Sequence, residues 1–149
     1  MMKLVTKYHG KIEIEQSEVI HFPKGIPAFE EEQEFILLQL TDEKIYYILQ
    51  SVKTPDLGFV VTDPFLFFKD YDFQLDESTV KALDLKSPTD VKILTIVSVR
   101  DPFSNSTANL QAPIVINANK NRAKQVVLNV ENYHTKHRLF NEIPVGSEG

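Results

Sequence analysis

The sequence predicts a mainly β protein: an antiparallel, barrel-like or sandwich single domain over residues 1–149, with about eight or nine strands and one short helix near residues 77–85. Short segments rich in Val, Ile, Phe and Tyr recur with turn signals roughly every 8 to 12 residues. Helical patterning is confined to one segment, whereas βαβ units need a crossover helix for each parallel pair. The 149 residues, 42% hydrophobic, are enough to bury roughly two thirds of the surface the unfolded chain exposes.

In chain order, LVTKY reads as a first strand, His9-Gly10 as a turn, and KIEIE as a half-solvated strand in which Ile12 and Ile14 alternate with Lys11, Glu13 and Glu15. EVIHF is a strand ending at Pro23. The following FPKGIPAFEEEQEF, with two prolines, a glycine and the EEEQE run, reads as a long loop. FILLQL (35–40) and IYYILQSV form a hairpin about the turn TDEK, where Thr41 and Asp42 cap local amides. KTPDLG is a turn, and FVVTDP is a short strand stopped by Pro64. DESTVKALDL is the helix: Asp76 is a suitable N-cap, Glu77 suits the positive end of the helix dipole, and Val80, Ala82 and Leu83 form a packing stripe before Pro88.

VKILTIVSV resists helix formation because five of its nine residues are Val or Ile, whose branched side chains crowd the preceding helical turn. Val91, Ile93, Val97 and Val99 are expected on one face and Leu94 and Ile96 on the other, as in a central strand covered on both sides. DPFSNSTA is a loop, NLQAPIVIN is a further apolar strand segment, and ANKNRA turns the chain into the strand KQVVLNV. Residues 141–149 are expected to be flexible, and no repeat is present.

Sixteen basic against 21 acidic residues give a net charge of −5, which opposes general affinity for nucleic acid phosphates and favours a cationic partner or simple solubility. The absence of cysteine excludes disulfides, thiolate nucleophiles and Cys-ligated metals, and fits the cytoplasm. No signal-peptide h-region and no apolar stretch of about 18 residues is present, so neither export nor membrane insertion is expected.

Catalytic signatures are missing. The five glycines form neither GxGxxG nor GxxxxGK[ST], and no serine lies in a Gly-x-Ser-x-Gly context. His9 and His21 read as hydrogen-bonded structural residues. His134 and His137 have HxxH spacing, but Thr135 and Lys136 stand between them and Arg138 follows, so an exposed C-terminal segment is favoured over a metal site. Asp63 with Asp70 or Asp72 reads as turn capping. No enzyme, cofactor or metal is predicted.

Two features suit recognition. Glu30, Glu31, Glu32 and Glu34 concentrate negative charge on the loop, although a charge run is also an ordinary solvated face. Phe103, with Ser104 and Asn105, sits in a polar loop, where an aromatic either docks a partner or lids the end of the barrel.

The ordered phrases GIPAFE (25–30), YILQSV (47–52), TDPF (62–65), DY (70–71), NLQAPIVIN (109–117) and KQVVL (124–128) resemble the flagellar assembly factor FliW family from residue 3 to about 140. The resemblance implies a bacterial cytoplasmic protein, monomeric when free, with two mutually exclusive partners: flagellin and the RNA-binding translational repressor CsrA. It implies that the free protein antagonises CsrA and so couples flagellin translation to filament assembly. Ala28 departs from the pattern, standing where members commonly carry Gly, and Ala disfavours positive φ. A small-ligand or flavin-binding β-barrel is the alternative reading, and a subunit of a permanent assembly is a third.

Overall fold

Residues 2–6 and 9–140 are described in a computed structural model; the expected flexible tail at 141–149 lies outside them. The first two strands, β1 (Met2–Thr6) and β2 (Gly10–Ile14), pair antiparallel as a separate hairpin. The remaining strands are β3 (Ile20–His21), β4 (Glu34–Gln39), β5 (Tyr46–Ser51), β6 (Gly58–Thr62), β7 (Val91–Ser98), β8 (Thr107–Ala108), β9 (Ile114–Asn117), β10 (Arg122–Gln125) and β11 (His137–Arg138). Of the 11 strands among the described residues, eight have four or more residues, and β3, β8 and β11 are two-residue pairings.

The ladder runs β7-β6-β5-β4-β3-β10-β9, and β9 pairs back onto β7, so seven strands close into a barrel. Closure satisfies the backbone of both edges of the sheet. Pairing is antiparallel throughout except between β10 and β3, which meet in parallel at Arg122 and His21, a departure from the all-antiparallel expectation. The two strands enter this contact from separate loops, so no crossover helix is needed.

Alternation along the strands builds three apolar layers. Phe35, Leu49, Val61, Leu94, Ile114, Ile116 and Ala123 point into the barrel with Ile20, Phe22 and Ile26, and Leu37, Tyr47, Phe59 and Ile96 pack beside them. The barrel axis is therefore filled by side chains, with Phe22, Phe35 and Leu49 fully buried. The outer face of β7 and β9 contributes Val97 and Val115 to a second layer, covered by Tyr71, Leu83, Leu110, Val126, Leu128 and Leu139. The hairpin supplies Leu4 and Ile14, which cover Ile36 on the outside of β4 together with Val19.

Helix α1 spans Glu77–Ala82 and is shorter than the expected 77–85. Asp76 caps it by accepting from Thr79 N at 2.8 Å. It stops because Asp84 adopts φ +54, and the Leu83 and Asp84 carbonyls turn to the buried Asn117, whose Nδ2 donates to them at 2.7 and 3.2 Å. As expected, β7 is covered on both faces, but Val99 lies beyond it and is 51% exposed, because the chain leaves the ladder after Ser98.

KQVVLNV is not one strand. β10 begins at Arg122 and ends at Gln125, where its partner strand runs into Pro113, which has no N–H to return a ladder bond. EVIHF likewise shortens to Ile20–His21, because Gln16–Glu18 forms a 3-10 turn.

Candidate partner-binding surface

The glutamate loop is tied at its base by Phe22 N donating to Gln33 O at 2.8 Å. Gly25 turns with φ +67, and a Cβ there would lie 2.4 Å from Glu30 O, so the site requires glycine. Ile26-Pro27-Ala28-Phe29 then closes a β-turn, with Phe29 N donating to Ile26 O at 2.7 Å. Pro27 occupies the second position and Ala28 takes φ +74 at the third, the backbone of a type II turn. Ala28 therefore adopts the conformation that its side chain disfavours.

The four glutamates differ in environment. Glu30 is exposed, and its Oε2 accepts from Ala28 N at 3.0 Å. Glu32 accepts from Ser51 Oγ at 2.5 Å and Thr54 Oγ1 at 2.7 Å, clamping the loop to the β5–β6 turn. The Ser51 hydrogen bond, aided by that of Thr54 and by nearby Lys53 against partial burial, holds the Glu32 carboxyl below its ordinary value. Glu31 is exposed beside a groove of about 480 Å³ that His21, Lys53 and Arg122 also line. Glu34 is not a loop residue: it opens β4 opposite His21, whose Nδ1 lies 3.8 Å from its Oε2. Glu30 and Glu31 are thus the exposed carboxylates of the loop proper, while Glu32 serves the fold.

Phe103–Asn105 form a 3-10 turn. The Phe103 ring is 40% exposed and packs edge-on against Tyr46 at 5.4 Å and Phe140 at 5.7 Å. Phe67 joins them, 6.0 Å from Tyr46 and 5.9 Å from Phe140. Asn105 Oδ1 accepts from Arg138 Nη2 at 3.0 Å, and Ser106 Oγ accepts from Arg100 N at 2.9 Å, so the polar neighbours shape the turn. Ser104 is exposed.

The two sequence-predicted patches are not brought together. Glu32 is bonded to Ser51 at the end of β5, and Phe103 packs on Tyr46 at its start, five residues apart. At about 3.3 Å per residue that is roughly 16 Å.

Aromatic clustering goes further than Phe103. Phe65, Phe67, Phe68, Tyr71 and Phe73 lie within nine residues of sequence, and beyond Phe67 they build a second ring group: Phe65 and Phe73 pack on Tyr71 at 5.7 and 5.2 Å, and Tyr71 meets Tyr133 edge-on at 4.7 Å. Density of aromatics between Pro64 and Asp76 was the available signal, although it lacks the period of a strand or helix. Leu66 and Phe65 are 57% and 44% exposed, giving this face apolar surface. His134 and His137 stack at 3.8 Å, and His137 Nε2 accepts from His134 N at 2.9 Å, so that nitrogen is engaged by backbone. Burial, followed by the neighbouring His134, lowers the His137 pKa.

Residues 3–139 match the family model described as FliW protein. The flagellar assembly factor FliW of Geobacillus kaustophilus is 52% identical over 141 residues, covering 95% of this chain and 97% of that protein. The Bacillus subtilis flagellar assembly factor FliW is 46% identical over 147 residues, 99% of each. A crystal structure of the flagellar assembly factor FliW superposes with a TM-score of 0.90 at 52% identity, covering 95% of this chain and 99% of that one.

Proposed function

Because the chain belongs to the FliW family of flagellar assembly factors, we propose that it works by contact, as a single-domain cytoplasmic chaperone that binds flagellin and, when free, binds and antagonises the translational repressor CsrA. The family is one of assembly factors rather than enzymes, and its partners are proteins of flagellar assembly. The observation that carries the reading is the 52% identity maintained over 95% of the chain together with a TM-score of 0.90.

Two surface features support a contact function. The exposed rings of Phe103 and Phe140 offer apolar area for a protein partner. The exposed Glu30 and Glu31 on a chain of net charge −5 suit a repressor whose own work is to grip RNA phosphates, because carboxylates held near a cationic face weaken its field for RNA. With the sites about one strand length apart, a partner large enough to engage both excludes a second one. The protein is proposed to be monomeric when free.

The test is co-elution on size-exclusion chromatography with flagellin and, separately, with CsrA from the same bacterium. A stoichiometric complex with each is expected, and absence of a complex with either contradicts the proposal. Glu30→Lys with Glu31→Lys weakens the CsrA complex and flattens its salt dependence, while equal affinity for the variant removes the loop from the interface.

A further inference from the structure

The β9–β10 ladder continues past its last regular residue. Val126 N donates to Pro113 O at 2.9 Å and Leu128 N to Gln111 O at 2.7 Å, in the register that pairs Gln125 with Ile114. In an antiparallel ladder the intervening residue directs its N–H and C=O to the opposite edge, so Val127 presents both there, and Asn129 follows in the same phase. Among the described residues, the backbone groups of Val127 and Asn129 have no hydrogen-bond partner.

Phe73, Gln74 and Asp76 line a groove of about 350 Å³ beside this segment, together with Val126, Leu128 and Val130. The backbone groups of Phe73 and Gln74 likewise have no partner among the described residues. Two segments with unused backbone groups thus flank one slot, and Val127 and Val130 are 58% and 43% exposed at its mouth. The walls and their sequence neighbours carry Asp72, Asp76, Glu77 and Glu131 against Lys124, so the rim is acidic.

We propose that this slot takes an extended, cationic peptide segment, which adds to the edge at Val127 and Asn129 as a further strand. Unpaired main-chain groups supply affinity in such additions, and flanking side chains select the sequence. Here valine at the mouth favours apolar residues at alternate positions, and the rim favours Lys or Arg between them. Charge disfavours two other occupants: residues 141–149, NEIPVGSEG, carry two glutamates and no cation, and a second copy brings net charge −5. The inference stands apart from the identity of the partners proposed above, because it concerns a surface distinct from both predicted patches.

The test uses isotope-labelled protein and a nine-residue peptide alternating Lys with Val, with a Glu–Val peptide as control. The Lys–Val peptide is expected to shift the amide resonances of Gln74, Val127 and Asn129 and to slow their hydrogen exchange, and the Glu–Val peptide to leave them unchanged. Val127→Pro removes one edge donor without breaking a native bond and is expected to abolish binding. Asp72→Lys with Glu131→Lys, at exposed positions, weakens binding roughly three- to tenfold at low salt. Equal response to the Glu–Val peptide, no response at millimolar peptide, or shifts that grow with protein concentration in the absence of peptide would each overturn the proposal.

Discussion

Gly25 and Ala28 both have positive φ, yet the same pair of residue types exchanged between them is predicted to act with opposite signs. Ala28 holds φ +74 with a side chain that crowds its own carbonyl, a cost of about 1–2 kcal/mol for an L-residue. Ala28→Gly relieves that cost but loosens the unfolded chain, which offsets about 0.4–1 kcal/mol. The net expectation is a stabilisation of about 0.5–1 kcal/mol, or about 1–4 °C in Tm for a chain of this size. At Gly25 the same φ cost is joined by overlap: an added Cβ meets Glu30 O at 2.4 Å and Glu30 C and Cα at 2.6 Å, all backbone. The Glu30 segment is fixed by Glu32 bonded to Ser51 and Thr54, so it yields only by disturbing that clamp. Gly25→Ala is therefore expected to cost about 3 kcal/mol or more. Urea denaturation at pH 7 reads both variants from the shift in midpoint at constant slope. Destabilisation by Ala28→Gly, or an unchanged midpoint for Gly25→Ala, would refute this account of the loop.

Three further predictions concern the clamp and the cores. The Glu32 carboxylate has a lowered pKa from the Ser51 hydrogen bond, so its contribution is fully present above the ordinary value of 4.5 and is lost as pH falls through the lower folded value. Glu32→Gln should accordingly cost about 1–3 kcal/mol at pH 7 and less at pH 3; a penalty that does not change with pH contradicts the clamp. Asn117→Ala leaves the Leu83 and Asp84 carbonyls and the Asn119 amide without their side-chain partner, and is expected to cost about 2–4 kcal/mol and to speed hydrogen exchange in α1; protection unaltered in α1 would contradict this. Ile96→Asp places a carboxylate against the barrel core, costing several kcal/mol against a total of roughly 5–15, so circular dichroism should show an unfolded chain at 37 °C. A folded variant with an unshifted Tm would place Ile96 outside the core.

What the sequence made legible followed from side-chain period. The alternation of Leu94 and Ile96 with Ile93 and Val97 separates the barrel core from the outer layer in space as it does along the chain. The two-residue strands β3, β8 and β11 carry no such period, since two residues cannot display one, and the closure of β9 onto β7 is a long-range pairing that no local pattern encodes. The end of β10 was decided by Pro113, a residue of the facing strand rather than of KQVVLNV itself. Among the site residues, the EEEQE run was visible as charge, but nothing local to it separates Glu32, engaged by Ser51 from 19 positions away, from the exposed Glu31. Phe103 was visible as an aromatic in a polar loop, and its ring is partly exposed while packing on Tyr46 and Phe140. The cluster around Tyr71 was hidden because its rings come from segments 62 residues apart.

The proposed function has one protein serve two partners that exclude each other. Isothermal titration of this protein into CsrA from the same bacterium, repeated with the protein presaturated with flagellin, tests that claim most directly. The account predicts heat of binding in the first titration and its abolition in the second; undiminished binding to CsrA in the presence of saturating flagellin would contradict it.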